Sequence, residues 1–248
     1  MSRKPEVLLA IEDLTVSFDG FKAVDGLNLY VDRNELRVII GPNGAGKTTV
    51  LDLICGKTRA TNGSIKFKDR EILGMAEHKI VHSGIGRKFQ TPSVYENLTV
   101  FENLELSYPS RQSVFGCLAF QRSQAVIERI ETIAETVFLK DLLEIEGAFL
   151  SHGQKQWLEI GMLLMQNPEL LMLDEPVAGM SPAEREQTAE LLTRICENRA
   201  ILIIEHDMEF VQRIAHKVTV LHLGKILAEG SMAHVQSNER VQEVYLGH

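Results

Sequence analysis

With 248 residues, 44% of them hydrophobic and 24% charged, the chain has the size of one large domain or of a domain carrying a subdomain, and its composition excludes intrinsic disorder, collagen and small disulfide scaffolds. Lys and Arg number 26 against 34 Asp and Glu; the net charge of −8 opposes a polyanion as main partner, so no nucleic acid is expected. The 3 cysteines, Cys55, Cys117 and Cys196, lack the paired spacing of a zinc or redox site, and no apolar run approaches the roughly 18 residues that cross a bilayer, so a reducing compartment and a membrane role through a partner are expected.

The first eleven residues carry basic side chains but no apolar core of a secretory signal. Residues 7–11, 15–18, 27–31 and 65–67 are short strand-like runs divided by Asp, Gly and Asn, which predicts an antiparallel N-terminal sheet. Residues 36–40, 170–173 and 201–204 are nearly continuous apolar runs. Strands of that kind are covered on both faces, and three of them predict a doubly wound parallel core. From 97 to 166 the pattern is helical, with Ile127, Ile130, Ile133, Ala134 and Val137 at three- and four-residue spacing. Inside that block, residues 108–120 are rich in Ser, Gly and Pro and read as a loop.

Gly41-Pro42-Asn43-Gly44-Ala45-Gly46-Lys47-Thr48-Thr49 follows the first apolar strand and precedes a helix-like run at 50–54, the setting a P-loop requires. Its glycines let successive N–H groups turn inward on phosphates, Lys47 reaches the β and γ oxygens, and the Thr48 hydroxyl is placed to ligate Mg²⁺. Asp174 and Glu175 end a buried strand, where ligands of open α/β sheets gather; Asp174 suits a Mg²⁺ role and Glu175 a base that polarises water. The guanine-reading Asn-Lys-x-Asp segment is missing, which favours adenine. In Leu150-Ser151-His152-Gly153-Gln154, Ser151 reads as the cap of a helix running to about Gln166, with Gln154 completing a capping box.

The same five residues resemble the Leu-Ser-Gly-Gly-Gln signature of ATP-binding-cassette ATPases, with His152 where the first Gly usually stands. Other matches lie in the family's order: Gln90 resembles the Q-loop glutamine, His206 the switch histidine, Phe18 the aromatic that stacks on adenine, with Phe21 an alternative and core packing a rival. Ser181 stands where many members have Asp. The resemblance implies an α/β fold with a P-loop (RecA-like) core, an antiparallel β subdomain and an inserted helical subdomain. Residues 1–248 would form a single ABC ATPase domain, with core and β subdomain at about 1–90 and 166–248 and the helical part at about 91–165.

It further implies ATP and Mg²⁺ as cofactors. Catalysis would fall to Glu175, His206, Lys47 and Gln90, the metal to Thr48, Gln90 and Asp174, and ATP contacts to Phe18, the loop Gly41, Pro42, Asn43, Gly44, Ala45, Gly46, Lys47, Thr48 and Thr49, and Ser151, Gly153 and Gln154. The last three would face ATP held by another chain, in a homodimer or a heterodimer with a sister ATPase. The implied partners are integral membrane permeases and, indirectly, a solute-binding protein, with the chain peripheral on the cytoplasmic face of the inner membrane. Gly86-Arg87-Lys88-Phe89-Gln90, Val100-Phe101-Glu102-Asn103-Leu104 and Val244-Tyr245-Leu246-Gly247 resemble branched-chain amino acid and urea importer ATPases, and Gln156-Trp157-Leu158-Glu159 with residues 174–180 looks most like the urea subunit. Urea import is therefore the expectation; a branched-chain amino acid importer, or a soluble ABC ATPase outside transport, is the alternative.

Overall fold

In the computed structural model, residues 6–88, 94–109 and 122–246 are described. They group into two units, the first taking in residues 1–87, 169–176 and 192–248, the second 88–168 and 177–191.

The first unit opens with two long strands, β1 (Val7–Phe18) and β2 (Phe21–Asp32), paired antiparallel and joined at Asp19-Gly20, both at positive φ. Residues 7–11 and 15–18, expected as separate strands, are one strand whose register shifts between Ile11 and Leu14, where Asp13 takes a φ of 47°. Alternation explains the sheet's two faces: Leu27, Leu29 and Val31 are buried while Asn28 and Tyr30 are exposed. With β4 (Asn62–Phe67) and β5 (Arg70–Glu71), numbered after the central strand β3, the order is β2-β1-β4-β5.

The second sheet holds β3 (Leu36–Ile40), β6 (Ile85–Lys88), β7 (Leu170–Asp174), β8 (Ala200–Ile204), β9 (Lys217–His222) and β10 (Lys225–Gly230), in the order β10-β9-β3-β8-β7-β6. β3, β7, β8 and β9 are parallel; β10 returns antiparallel on β9. Every residue of β3, β7 and β8 is buried, as their apolar runs predict. Helix α1 (Lys47–Ile54) contributes Val50, Leu51, Leu53 and Ile54 to the core that also takes Leu9, Ile11, Leu29, Met172 and Leu202 from the two sheets. Each such side chain contributes about 1.5–3 kcal/mol by leaving water.

One buried residue breaks the apolar pattern. Arg37 on β3 is fully buried, its Nε donating to Glu35 at 2.7 Å and its Nη1 to Thr219 at 3.1 Å on β9 and to Glu229 on β10. A buried cation is tolerated only when paired and hydrogen-bonded, and three partners meet that condition.

Helix α2 (Glu77–Ser83) precedes β6 in the first unit; in the second, α3 (Val100–Leu106) starts at a capping box between Thr99 and Glu102. Buried Asn103 fixes the preceding turn, accepting from the Tyr95 N–H and donating to the carbonyls of Tyr95, Leu98 and Thr99. Helices α4 (Gln124–Thr136) and α5 (His152–Met165) pack with it around Gly161, where an added Cβ would lie 3.1 Å from Leu104 and 3.3 Å from Val137. Trp157 of α5 stacks edge-on against Phe138 with ring centroids 5.4 Å apart and donates from Nε1 to Thr188 at 2.9 Å. Thr188 lies on α6 (Pro182–Cys196). Of the loop expected at 108–120, residues 110–120 lie outside the described residues.

Candidate functional site

The loop of residues 41–46 leaves β3 and turns directly into α1, as its glycines predict. At Gly41 an added Cβ would fall 2.2 Å from the Leu221 carbonyl oxygen; at Gly46, φ 99°, it would fall 2.4 Å from that of Ala23. Both positions exclude any side chain, so the backbone is bare at each end of the loop. Gly46 caps α1 without a side-chain hydrogen bond, and the first turn has no acidic residue, so no carboxylate of α1 itself competes for the amides there.

Lys47 folds back across the loop, donating from Nζ to the carbonyls of Gly41 at 2.8 Å and Pro42 at 3.0 Å. Burial pushes its pKa below the ordinary lysine value, opposed by the negative charges of Glu175 and Asp174. The Thr48 hydroxyl stands 3.4 Å from Oδ2 of Asp174, which is buried at the end of β7. Among the described residues no group of three His, Cys, Asp or Glu is suited to hold a metal. A divalent cation at Thr48 and Asp174 would instead be shared with phosphate oxygens, as Mg²⁺ commonly is. Glycine-rich loop, ammonium and hydroxyl–carboxylate pair together fit a nucleoside triphosphate with Mg²⁺.

Glu175 follows Asp174 with φ 49°, a left-handed conformation that is sparsely populated for Glu and is held by its N–H donating to Ile204 at 2.9 Å. His206 lies just past the next strand, its Nδ1 3.5 Å from Glu175 Oε1 and 3.8 Å from Glu205 Oε2. Glu205 is buried and accepts the N–H groups of His206 and Asp207, which fixes this turn. Asp207 in turn caps α7 (Met208–Ile214) by accepting from Glu209 and Phe210. The sequence separates Glu175 and His206 by 31 positions, and the parallel pairing of β7 and β8 brings them to one sheet end.

Phe18 and Phe21 face each other at the tip of the β1–β2 hairpin, 49% and 61% exposed. Core packing, the rival explanation for Phe18, is thereby excluded. Gln90 lies outside the described residues.

In the second unit, Ser151 caps α5 with the predicted box complete in both directions: Gln154 N–H donates to Ser151 Oγ at 3.2 Å, and Ser151 N–H to Gln154 Oε1 at 2.8 Å. His152 faces the carbonyl of Ala178 at 3.0 Å from Nε2. Sequence reasoning missed Glu184. Its carboxylate accepts the Ser151 hydroxyl at 2.9 Å and, on the other oxygen, the Ser181 N–H at 2.9 Å and hydroxyl at 2.8 Å. The Ser181-Pro182-Ala183-Glu184 spacing, itself a capping-box pattern, was the available signal.

The family described as "ABC transporter" matches residues 24–178, and the one described as "Branched-chain amino acid ATP-binding cassette transporter" matches residues 225–248. The high-affinity branched-chain amino acid transport ATP-binding protein BraF of Pseudomonas aeruginosa is 36% identical, with 97% of this chain and 98% of that protein covered. LivG of Escherichia coli, of the same description, is 34% identical over 97% of this chain and 98% of its own. A crystal structure of an ATP-binding cassette of an ABC transporter in its ADP conformation superposes with a TM-score of 0.86 at 31% identity, covering 98% of this chain and 99% of that one. The descriptions of BraF, LivG and the C-terminal family name branched-chain amino acids, and none of them names urea. The chain belongs to the ABC transporter family as an ATP-binding subunit of the branched-chain amino acid transporter type, an ATPase that couples hydrolysis of ATP, bound with Mg²⁺, to transport.

Proposed function

We propose that this chain drives an importer of branched-chain amino acids, working with a second cassette beneath integral membrane permeases that a solute-binding protein supplies. The observation that carries the hydrolytic part is the meeting of Asp174 and Glu175 with Thr48 and His206 at one end of the sheet. Support for the solute comes from the full-length likeness to BraF and LivG and from the C-terminal match at 225–248. No helix among the described residues is long and apolar enough to cross a membrane. In this reading the chain attaches through the permeases, at their cytoplasmic face.

In this reading the glycine-rich loop from Gly41 to Gly46 and the amides opening α1 hold the phosphates, and Lys47 trades its two carbonyl acceptors for β and γ oxygens. Thr48 and Asp174 would hold Mg²⁺, with Gln90 as a further ligand, and the ion would supply positive charge to the phosphate oxygens. Glu175 accepts the proton of the attacking water, and His206, bridging Glu175 and Glu205, orients it. Phe18 offers its exposed ring to adenine. Ser151, Gly153 and Gln154 engage the ATP held by the second cassette, where the start of α5 favours negative charge.

A second reading, urea as solute, rests on Gln156-Trp157-Leu158-Glu159 and residues 174–180, which resemble the urea subunit. The solute never touches this chain, so the hydrolytic site does not choose between them. Vesicles containing the chain, its permeases and the solute-binding protein decide. Leucine, isoleucine or valine should stimulate ATP hydrolysis and urea should not; stimulation by urea alone would replace the proposal.

A further inference from the structure

Ser151 has a single hydroxyl proton, and Glu184 takes it at 2.9 Å. One lone pair of that hydroxyl accepts the Gln154 N–H, and the Ser151 N–H is spent on the Gln154 side chain. Its remaining donor is therefore committed to a carboxylate. Gly153 makes room for this arrangement: a Cβ there would lie 2.3 Å from Glu184 Oε1 and would push the carboxylate aside. The second carboxylate oxygen is anchored by the N–H and hydroxyl of Ser181, which tie Glu184 to the segment following Ala178 and Gly179. The N–H and hydroxyl of Ser181, foremost, then the Ser151 hydroxyl and the nearby His152, hold the Glu184 carboxyl below its ordinary range, against slight burial, so it is an anion at neutral pH.

A phosphate arriving at Ser151 needs the same proton. It competes with a charged acceptor, whose hydrogen bonds are about twice as strong as those of a neutral one, and it leaves two anions facing each other once it has won. We propose that Glu184 is a positioning residue that sets how readily Ser151 yields its hydroxyl to the ATP of the second cassette, a carboxylate brake on closure of the pair. The proposal rests on the two-cassette reading above. It also accounts for Ser181 in place of the more usual Asp: a hydroxyl donor there holds Glu184, where a second carboxylate would repel it.

The test is the ATP dependence of hydrolysis by the transporter assembled in vesicles. Glu184→Gln keeps the cap, since Gln also serves at the third helical position. It should lower KM for ATP about two- to fivefold, the size of a solvent-exposed charge contact, without raising kcat or changing Tm. Ser181→Ala, which frees the carboxylate to hold Ser151 harder, should raise KM. Damage to the fold alone would move both variants the same way. An unchanged or raised KM in Glu184→Gln overturns the proposal while the two-cassette reading stands, provided Ser151→Ala impairs hydrolysis. If Ser151→Ala leaves both kcat and KM unchanged, the two-cassette reading falls and takes this proposal with it.

Discussion

Lys47 is held between two demands. Its ammonium is partly desolvated beside Asp174 and Glu175, and it donates to two carbonyls of the loop that the proposed function has it serve. Lys47→Ala removes the only side-chain cation of the loop, so nucleotide affinity should fall at least about tenfold, with each such charge-assisted contact contributing about 1.5–3 kcal/mol. Equilibrium binding of a fluorescent ATP analogue measures this, and affinity unchanged from the parent would remove the residue from the site. At this scale the sequence was most legible where spacing alone defines chemistry, as in the P-loop and the Asp174-Glu175 pair. Arg37 and Glu184 were not. The first hides in a run of apolar residues and is explained only by its partners, Glu35 beside it and others on β9 and β10; the second depends on a contact between helix starts 30 residues apart.

Element by element, periodicity and caps carried the reading. Strands β3, β7 and β8 were visible because a strand covered on both faces needs an unbroken apolar run, and α5 because Ser151 and Gln154 bracket its start. The bulge at Asp13 was not visible, since a left-handed φ at one residue leaves no compositional trace and made one strand look like two. What α5 does once formed is also a matter of packing. Trp157 fills the space beside Phe138 and spends its one donor on Thr188, whose own hydroxyl donates to the Glu184 carbonyl at 2.8 Å. Trp157→Phe should lower unfolding free energy by about 1–3 kcal/mol through a lost buried hydrogen bond and lost ring area. Denaturant unfolding reads the change, and a difference below about 0.5 kcal/mol would show the contact to be incidental.

On the scale of the whole molecule, carboxylates whose pKa the fold lowers give stability a definite pH dependence. Burial raises the Glu229 carboxyl, but the Lys217 hydrogen bond and the charge and hydrogen bond of Arg37 outweigh it, so its pKa lies below the ordinary value. A group lowered in the folded state contributes stability above its unfolded pKa, about 4.3 for Glu, and loses it as pH falls through the folded value. Melting temperature should therefore fall steeply as pH drops below about 4.3. Glu229→Gln should lower Tm at pH 7, because Arg37 stays buried with one fewer counter-charge, and should flatten the acid limb. Parallel acid limbs in parent and variant would show that Glu229 carries none of this dependence.

Coupling of hydrolysis to transport is the central claim, and Glu175 is where it is most exposed to refutation. In vesicles carrying the assembled transporter, ATP turnover, bound nucleotide and leucine uptake can be followed together in the parent and in Glu175→Gln. Loss of a general base predicts turnover reduced at least about a hundredfold, with ATP retained on the protein and uptake arrested. Turnover and uptake equal to those of the parent would contradict the account.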